Sequence, residues 1–252
     1  MNMRLIPSAT VAALAIALVW PIQAQAFHPL VTDDTGTQGD GGNQLEVGYD
    51  HARSDGDTAH ALGVTYTRGF SDTLDAYIGS AYQTSDPDGW GNVGVGLKWR
   101  FYENEASKLS LALKPEILLP VSRAHEAEGL GNGETSYGLT FIASMETGFG
   151  ELHFNLEAVR SNFADNTITD RKNFWRASIA PVWAVADGWK AAIDLGLQTN
   201  TDRIQDATMG FIELGVVYRP NDQFDLSFGI IHDVMDGPAN STTATAQVTW
   251  HF

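Results

Sequence analysis

Cysteine is absent from all 252 residues. A chain without disulfides must be held together by its fold alone, even outside the cytoplasm. Long apolar runs are absent beyond residue 26, which excludes a bundle of membrane helices, since each needs roughly 20 such residues. Positive charge is also scarce. Fifteen Lys and Arg stand against 31 Asp and Glu, for a formal charge of −16. So acidic a chain argues against nucleic acid, whose phosphates call for basic patches. It suits instead a cell surface where divalent cations bridge anionic groups.

The one apolar run lies at the start. Met1 to Arg4 is short and weakly basic, Ala9 to Ile22 is mostly apolar, and "AQA" at Ala24 to Ala26 gives the small-x-small pattern cut by a signal peptidase. An uncleaved membrane anchor is the other reading of this run; its shortness and the timely small residues favour cleavage. The expected organisation is a signal peptide over 1–26, an N-terminal periplasmic or lumenal segment over 27–42, and a transmembrane β-barrel over 43–252. Removing the leader takes away Arg4 and brings the formal charge to −17.

Hydrophobic residues make up 43% of the chain, yet they are spread in alternation. "NQLEVGYDH" puts Leu45, Val47 and Tyr49 on one side; "NVGVGLKWRF", "ELHFNLEA", "WKAAIDLGLQ" and "QFDLSFGIIHD" repeat the pattern. Period two means strand. About twelve such segments can be counted, each near the 9–11 residues that cross a bilayer when tilted. The apolar faces carry large residues end to end, as lipid contact requires, while the polar faces are small and charged, as a crowded lumen requires. A soluble barrel is the alternative. Against it, the connections alternate, with longer links at Arg53–Asp57, Ser85–Gly89, Arg123–Gly133, Asn162–Arg171, Thr201–Gln205 and Met235–Ser241 and shorter ones between, as in outer-membrane barrels. Aromatics also gather at the strand ends, with Phe70, Tyr102, Trp189 and Trp250 among those at one rim and Tyr49, Trp90, Tyr137 and Trp175 among those at the other.

The fold class expected is therefore all-β, a transmembrane antiparallel up-and-down barrel of about twelve strands. Its last segment, "TATAQVTWHF", ends on an aromatic at full amphipathic strength, so Trp250 and Phe252 are read as an assembly signal on a strand that closes the barrel. Pro115, Pro120 and Pro181 lie in apparent strands and call for bulges there. Alternation assigns to the lumen Glu46, Asp50, Lys98, Arg100, Lys114, Glu116, Glu146, His153, Asn155, Glu157, Arg176, Lys190, Asp194, Glu213, Arg219 and Asp225. Charges of a membrane protein belong in such a lumen or in pairs. The stretch Phe27 to Gly42 is expected to fold back into it, where Asp33 and Asp34 would meet part of the inward Lys and Arg set.

The stretch "FHPLVTDDTGTQGDGGNQLE" resembles the start of an outer-membrane protein family named for the meta-cleavage pathway of phenol degradation, and the likeness extends more loosely along the mature chain. That resemblance implies an outer-membrane barrel that passes small solutes, hydrophobic or aromatic ones among them. It carries over no functional residues. Asp33, Asp34 and Asp40 do not match the spacing of a calcium loop, so no metal and no cofactor is expected. Neither His153 with Asn155 nor His232 with Asp233 has a serine at neighbouring spacing on its own strand face, so no catalytic set is expected either. A lipid-modifying enzyme of the outer membrane and a soluble periplasmic ligand-binding barrel are the rival functions. The partners expected of a channel are outer-membrane lipid and lipopolysaccharide, the outer-membrane assembly machinery and a small solute.

Overall fold

The computed structural model describes residues 29–54, 57–201, 203, 208–234 and 240–252. The leader expected over 1–26, with Phe27 and His28, lies outside them. Among the described residues thirteen strands are formed: β1 (Asn43–Ser54), β2 (Asp57–Ser71), β3 (Leu74–Gln83), β4 (Gly89–Trp90), β5 (Val93–Asn104), β6 (Leu109–Leu119), β7 (Ser136–Thr147), β8 (Gly150–Arg160), β9 (Asn173–Ala186), β10 (Trp189–Thr199), β11 (Thr208–Asn221), β12 (Phe224–Asp233) and β13 (Ser241–His251). Twelve of them make one antiparallel barrel in chain order. The thirteenth, β4, is a two-residue strand pairing with Tyr82 and Gln83 at the end of β3.

Closure occurs between the first and last strands. β1 pairs with β13 from Gln44↔His251 to Ser54↔Ser241, and Asn43 and Phe252 exchange both backbone hydrogen bonds at 2.9 and 3.0 Å. No edge is left at this seam, which is what a lipid environment demands. Trp250 and Phe252 stack outside at 4.2 Å, so the terminal aromatics extend the interfacial girdle. Trp189 and Tyr218 stack at 4.5 Å on the same rim.

Alternation runs through every barrel strand. Ile78, Leu156, Leu214 and Phe228 are about half exposed on the outer surface, while Ala112, Ile142, Ala180, Asp194 and Glu213 are fully buried inside. A soluble protein would reverse the placement of the large apolar residues. The outward band of Leu, Ile, Val and Phe is a lipid-contact surface, and the chain spans a membrane.

Pro115 and Pro181, both within strands, sit where the ladder is already broken. Pro115 faces outward opposite Leu139, and the β5–β6 pairing is interrupted beside it, between Gly96↔Glu116 and Trp99↔Leu113. Pro181 faces Leu152, and the β9–β10 pairing is likewise interrupted between Ala192↔Val182 and Leu195↔Ile179. Each missing N–H thus falls in a gap of the ladder. Pro120 lies just beyond the end of β6.

The connections differ from expectation at the first hairpin, because pairing continues to Ser54↔Asp57. A longer link, 120–135, carries the short helix α1 (Arg123–Ala127), capped by Ser122, whose side chain accepts from His125 N–H. The Glu126 carboxylate, buried, accepts from the N–H of Gly133 at 2.6 Å and of Ala164 and Asp165 at 2.9 Å, tying this link to the β8–β9 link. Asn92 and Asn132 bind each other in both directions at 2.8 and 2.9 Å. The outer end therefore carries a folded cap.

Candidate functional site

Inside the barrel lies the segment 29–42, which has no period of its own and borrows its hydrogen-bond partners from the wall. An extended backbone buried without partners would be costly. Val31 N–H donates to Glu213 Oε2 at 3.0 Å, Thr32 N–H to Asp194 Oδ2 at 2.6 Å and Thr35 N–H to Ser144 Oγ at 3.0 Å. Gln38 N–H reaches both oxygens of Asp75 at 3.0 and 3.2 Å. The Thr32 hydroxyl binds Asp194 Oδ1 and Ser178 Oγ at 2.8 and 2.7 Å, and the Thr35 hydroxyl lies 2.5 Å from Ser110 Oγ. Apolar contacts reinforce these: Leu30 packs with Ala180, Val182 and Ala192, and Val31 with Phe211 and Ile231.

The wall is hollowed to receive the segment. Gly215 and Gly229 are cross-strand partners midway along β11 and β12. A Cβ on either would come within 2.6 or 2.8 Å of the Pro29 ring. Where the chain leaves the lumen for β1, Gly39 and Gly41 take φ of 74° and 77°, a region that glycine enters without steric cost. Gly69 lies against this turn, and a Cβ there would overlap Gly39 O.

Charge pairing locks the middle of the segment. Asp33 binds Lys98 at 3.0 Å and Lys114 at 2.7 Å, and Asp34 binds Lys98 at 3.3 Å. Asp33 is buried, so these pairs act where screening by water is weak. Two cavities flank the locked stretch. One of about 400 Å³ is bordered by Asp33, Glu46, Asp75, Arg219 and His251. The other, about 350 Å³, is bordered by Thr35, Arg100, Lys108, Ser144 and Glu151.

The residues assigned to the lumen by alternation sit as follows. Glu46 is buried and accepts from Gln247 at 3.0 Å. Asp50 shares its inward parity and is solvent-exposed. Arg176 is buried and binds Glu157 at 3.2 Å and Gln198 at 2.8 Å. Asn155 is buried nearby on β8, and Glu116 is half-buried on β6. Toward the rim where β1 begins and β13 ends, Lys190 binds Glu151 at 2.7 Å, and Arg219 binds Asp225, which also meets His251 at 3.0 Å. Arg100 donates to Asp72 O at 2.8 Å at that rim. Glu146 lies at the mouth of the lumen: it is exposed at the end of β7, pairs with Lys108 at 3.5 Å and borders the cavity of about 350 Å³.

His153 is buried and differs from expectation in its neighbours. Cross-strand pairing with β7 brings Ser144 opposite it, with Ser144 Oγ 2.9 Å from Nδ1, while Glu151 lies 3.4 Å from Nε2. A search along one strand misses a serine supplied by the next. Among the described residues no group of three or more His, Asp or Glu is placed to hold a metal ion.

Residues 25–251 match the protein family described as "Putative MetA-pathway of phenol degradation". The chain belongs to this family. Members of the curated protein set give no match to the sequence. Among solved structures, this phenol-degradation family chain is similar to the COG4313 outer membrane channel from Pseudomonas putida F1. The TM-score is 0.69 at 15% identity, covering 88% of this chain and 100% of that one. It is also similar to the NanC porin (TM-score 0.59, 12% identity, 82% of this chain and 98% of that one) and to the KdgM porin (0.53, 10%, 82% and 99%). The fold of this family member is that of outer-membrane channels.

Several residues of the site escaped the sequence. Ser110, Asp75 and the Gly215–Gly229 pair carry no motif, and the glycine pair becomes a signal only once the β11–β12 register is known.

Proposed function

We propose that the protein is an outer-membrane channel for small solutes whose lumen is narrowed by its own N-terminal segment. The observation that carries this reading is the chain of wall side chains, from Glu213 to Asp75, that accept the segment's backbone N–H groups. A loose tail would have no such fitted acceptors. With twelve strands, the barrel falls between filled barrels of about 8 strands and open porins of 16–18, so one extended segment suffices to close most of its section. The family's phenol-degradation pathway supports small aromatic or weakly polar solutes as cargo.

Export through a cleaved leader over 1–26 fits this setting, as does recognition of Trp250 and Phe252 by the outer-membrane assembly machinery. Lipopolysaccharide around the outer rim fits the folded cap and the aromatic girdle. The barrel works as a passive path and not as an enzyme. Among the described residues the Ser144–His153–Glu151 array favours hydrolysis, yet Ser144 Oγ already accepts the Thr35 N–H, which makes it an anchor for the segment. Ester hydrolysis abolished by Ser144→Ala would restore the enzyme reading.

The test is single-channel recording in planar bilayers. The full mature chain should give small, steady currents, and deletion of 27–42 with the leader kept should raise conductance several-fold. Equal conductance for both would reduce the segment to a tail.

A further inference from the structure

The lumen does not balance its charge. Carboxylates outnumber cationic side chains on the inward faces, and the inward cations at positions 98, 114, 176, 190 and 219 are each engaged by a carboxylate. Glu46, Asp75 and Glu213 have no ion pair among the described residues. Glu46 is 3% exposed, borders the cavity of about 400 Å³, and leaves Oε2 without a hydrogen-bond partner. Asp75 borders the same cavity and receives only the Gln38 N–H. Deeper in, Glu213 is fully buried, with one oxygen on Val31 N–H and the other, Oε1, unpartnered. A buried carboxylate oxygen without a donor calls for a cation or a donor from outside.

We infer that the path beside the N-terminal segment selects positively charged solutes, inorganic monovalent cations and primary ammonium compounds, over anions, with Glu46 and Asp75 forming the accepting site in the inner cavity. This rests on the channel reading above and narrows it. A cation entering the cavity finds oxygens already held in place, and a neutral solute meets no opposing field. An anion meets the excess of carboxylates in a space whose low-dielectric walls strengthen repulsion.

The experiment is the zero-current potential of the full mature chain in planar bilayers across a KCl gradient. Potassium preference is expected. Glu46→Gln should lower the potassium-to-chloride permeability ratio by about sevenfold, since one unit charge some 7 Å from the ion path in a water-like dielectric shifts cation and anion by about RT each in opposite directions. Arg219→Gln, which removes a cation bordering the same cavity and releases Asp225, should raise the ratio. Arg219 is more than half exposed, so that variant decides the matter even if Glu46→Gln fails to insert. Chloride preference in the wild type, or a ratio that Arg219→Gln lowers or leaves unchanged, overturns the inference while leaving the channel intact. Absence of any current would overturn the channel reading together with it.

Discussion

Replacing Leu156 by Arg tests which face of the wall meets lipid. Leu156 lies six residues beyond the start of β8 at Gly150. At about 3.3 Å per residue and a tilt of about 40°, that places it about 15 Å above the turn. The apolar band of such barrels is about 25 Å tall, so Leu156 sits near its middle. Its side chain is half exposed on the outside, between Phe141 on β7 and Ala177 on β9. An Arg there should cost about 2–4 kcal/mol. The control sits at the same height on the other face. Thr140 pairs across β7–β8 with Glu157 and points inward, so Thr140→Lys places an ammonium beside a carboxylate. Its cost should stay under about 1 kcal/mol, as expected for a lumen substitution. Equilibrium urea unfolding in lipid vesicles, followed by tryptophan fluorescence, measures both. Equal losses at the two sites would mean a packed soluble core and would refute the lipid-facing assignment.

Deleting Phe252 removes its three hydrogen bonds with Asn43 and the stack on Trp250, so insertion into outer membranes should fall while export to the periplasm continues. Fractionation checks this, and normal insertion would reduce the terminal aromatic to ordinary strand packing. Gly229→Ala puts a Cβ 2.8 Å from Pro29 and 2.7 Å from Glu213 Oε1, so the segment must shift and single-channel conductance should rise. Glu126→Ala leaves three backbone N–H groups without their carboxylate, each such bond being worth about 1.5–3 kcal/mol. The outer links should then exchange amide hydrogens faster while the strands stay protected; unchanged exchange would contradict the tie.

Much of this architecture is legible in the sequence because lipid and lumen impose opposite chemistry on successive residues. Leu45, Val47 and Tyr49 against Glu46 and Asp50 set the faces of β1 without any knowledge of its partners. The closing strand is legible for the same reason. What is not legible depends on register across the wall. Ser144 meets His153, and Gly215 meets Gly229, only through pairing between neighbouring strands, which no single segment encodes. Glu146 keeps the inward parity of β7 yet is exposed at the mouth, because periodicity carries no information about where the barrel ends. The first hairpin is shorter than expected for a kindred reason, since polar residues such as Arg53 and Asp57 continue a ladder as readily as they leave it.

The claim on which the account rests is that the segment 29–42 occupies the lumen, and the missing cysteines make it directly measurable. Thr32 Oγ1 and Ser178 Oγ lie 2.7 Å apart, so cysteines at these two positions place sulfurs close to disulfide distance. The Thr32→Cys, Ser178→Cys double variant, oxidised in intact outer membranes, should close a loop that alters its mobility on a non-reducing gel. Each single variant should remain unlinked. Efficient formation of that disulfide is the predicted result; two free, separately reactive thiols in the double variant would contradict the account.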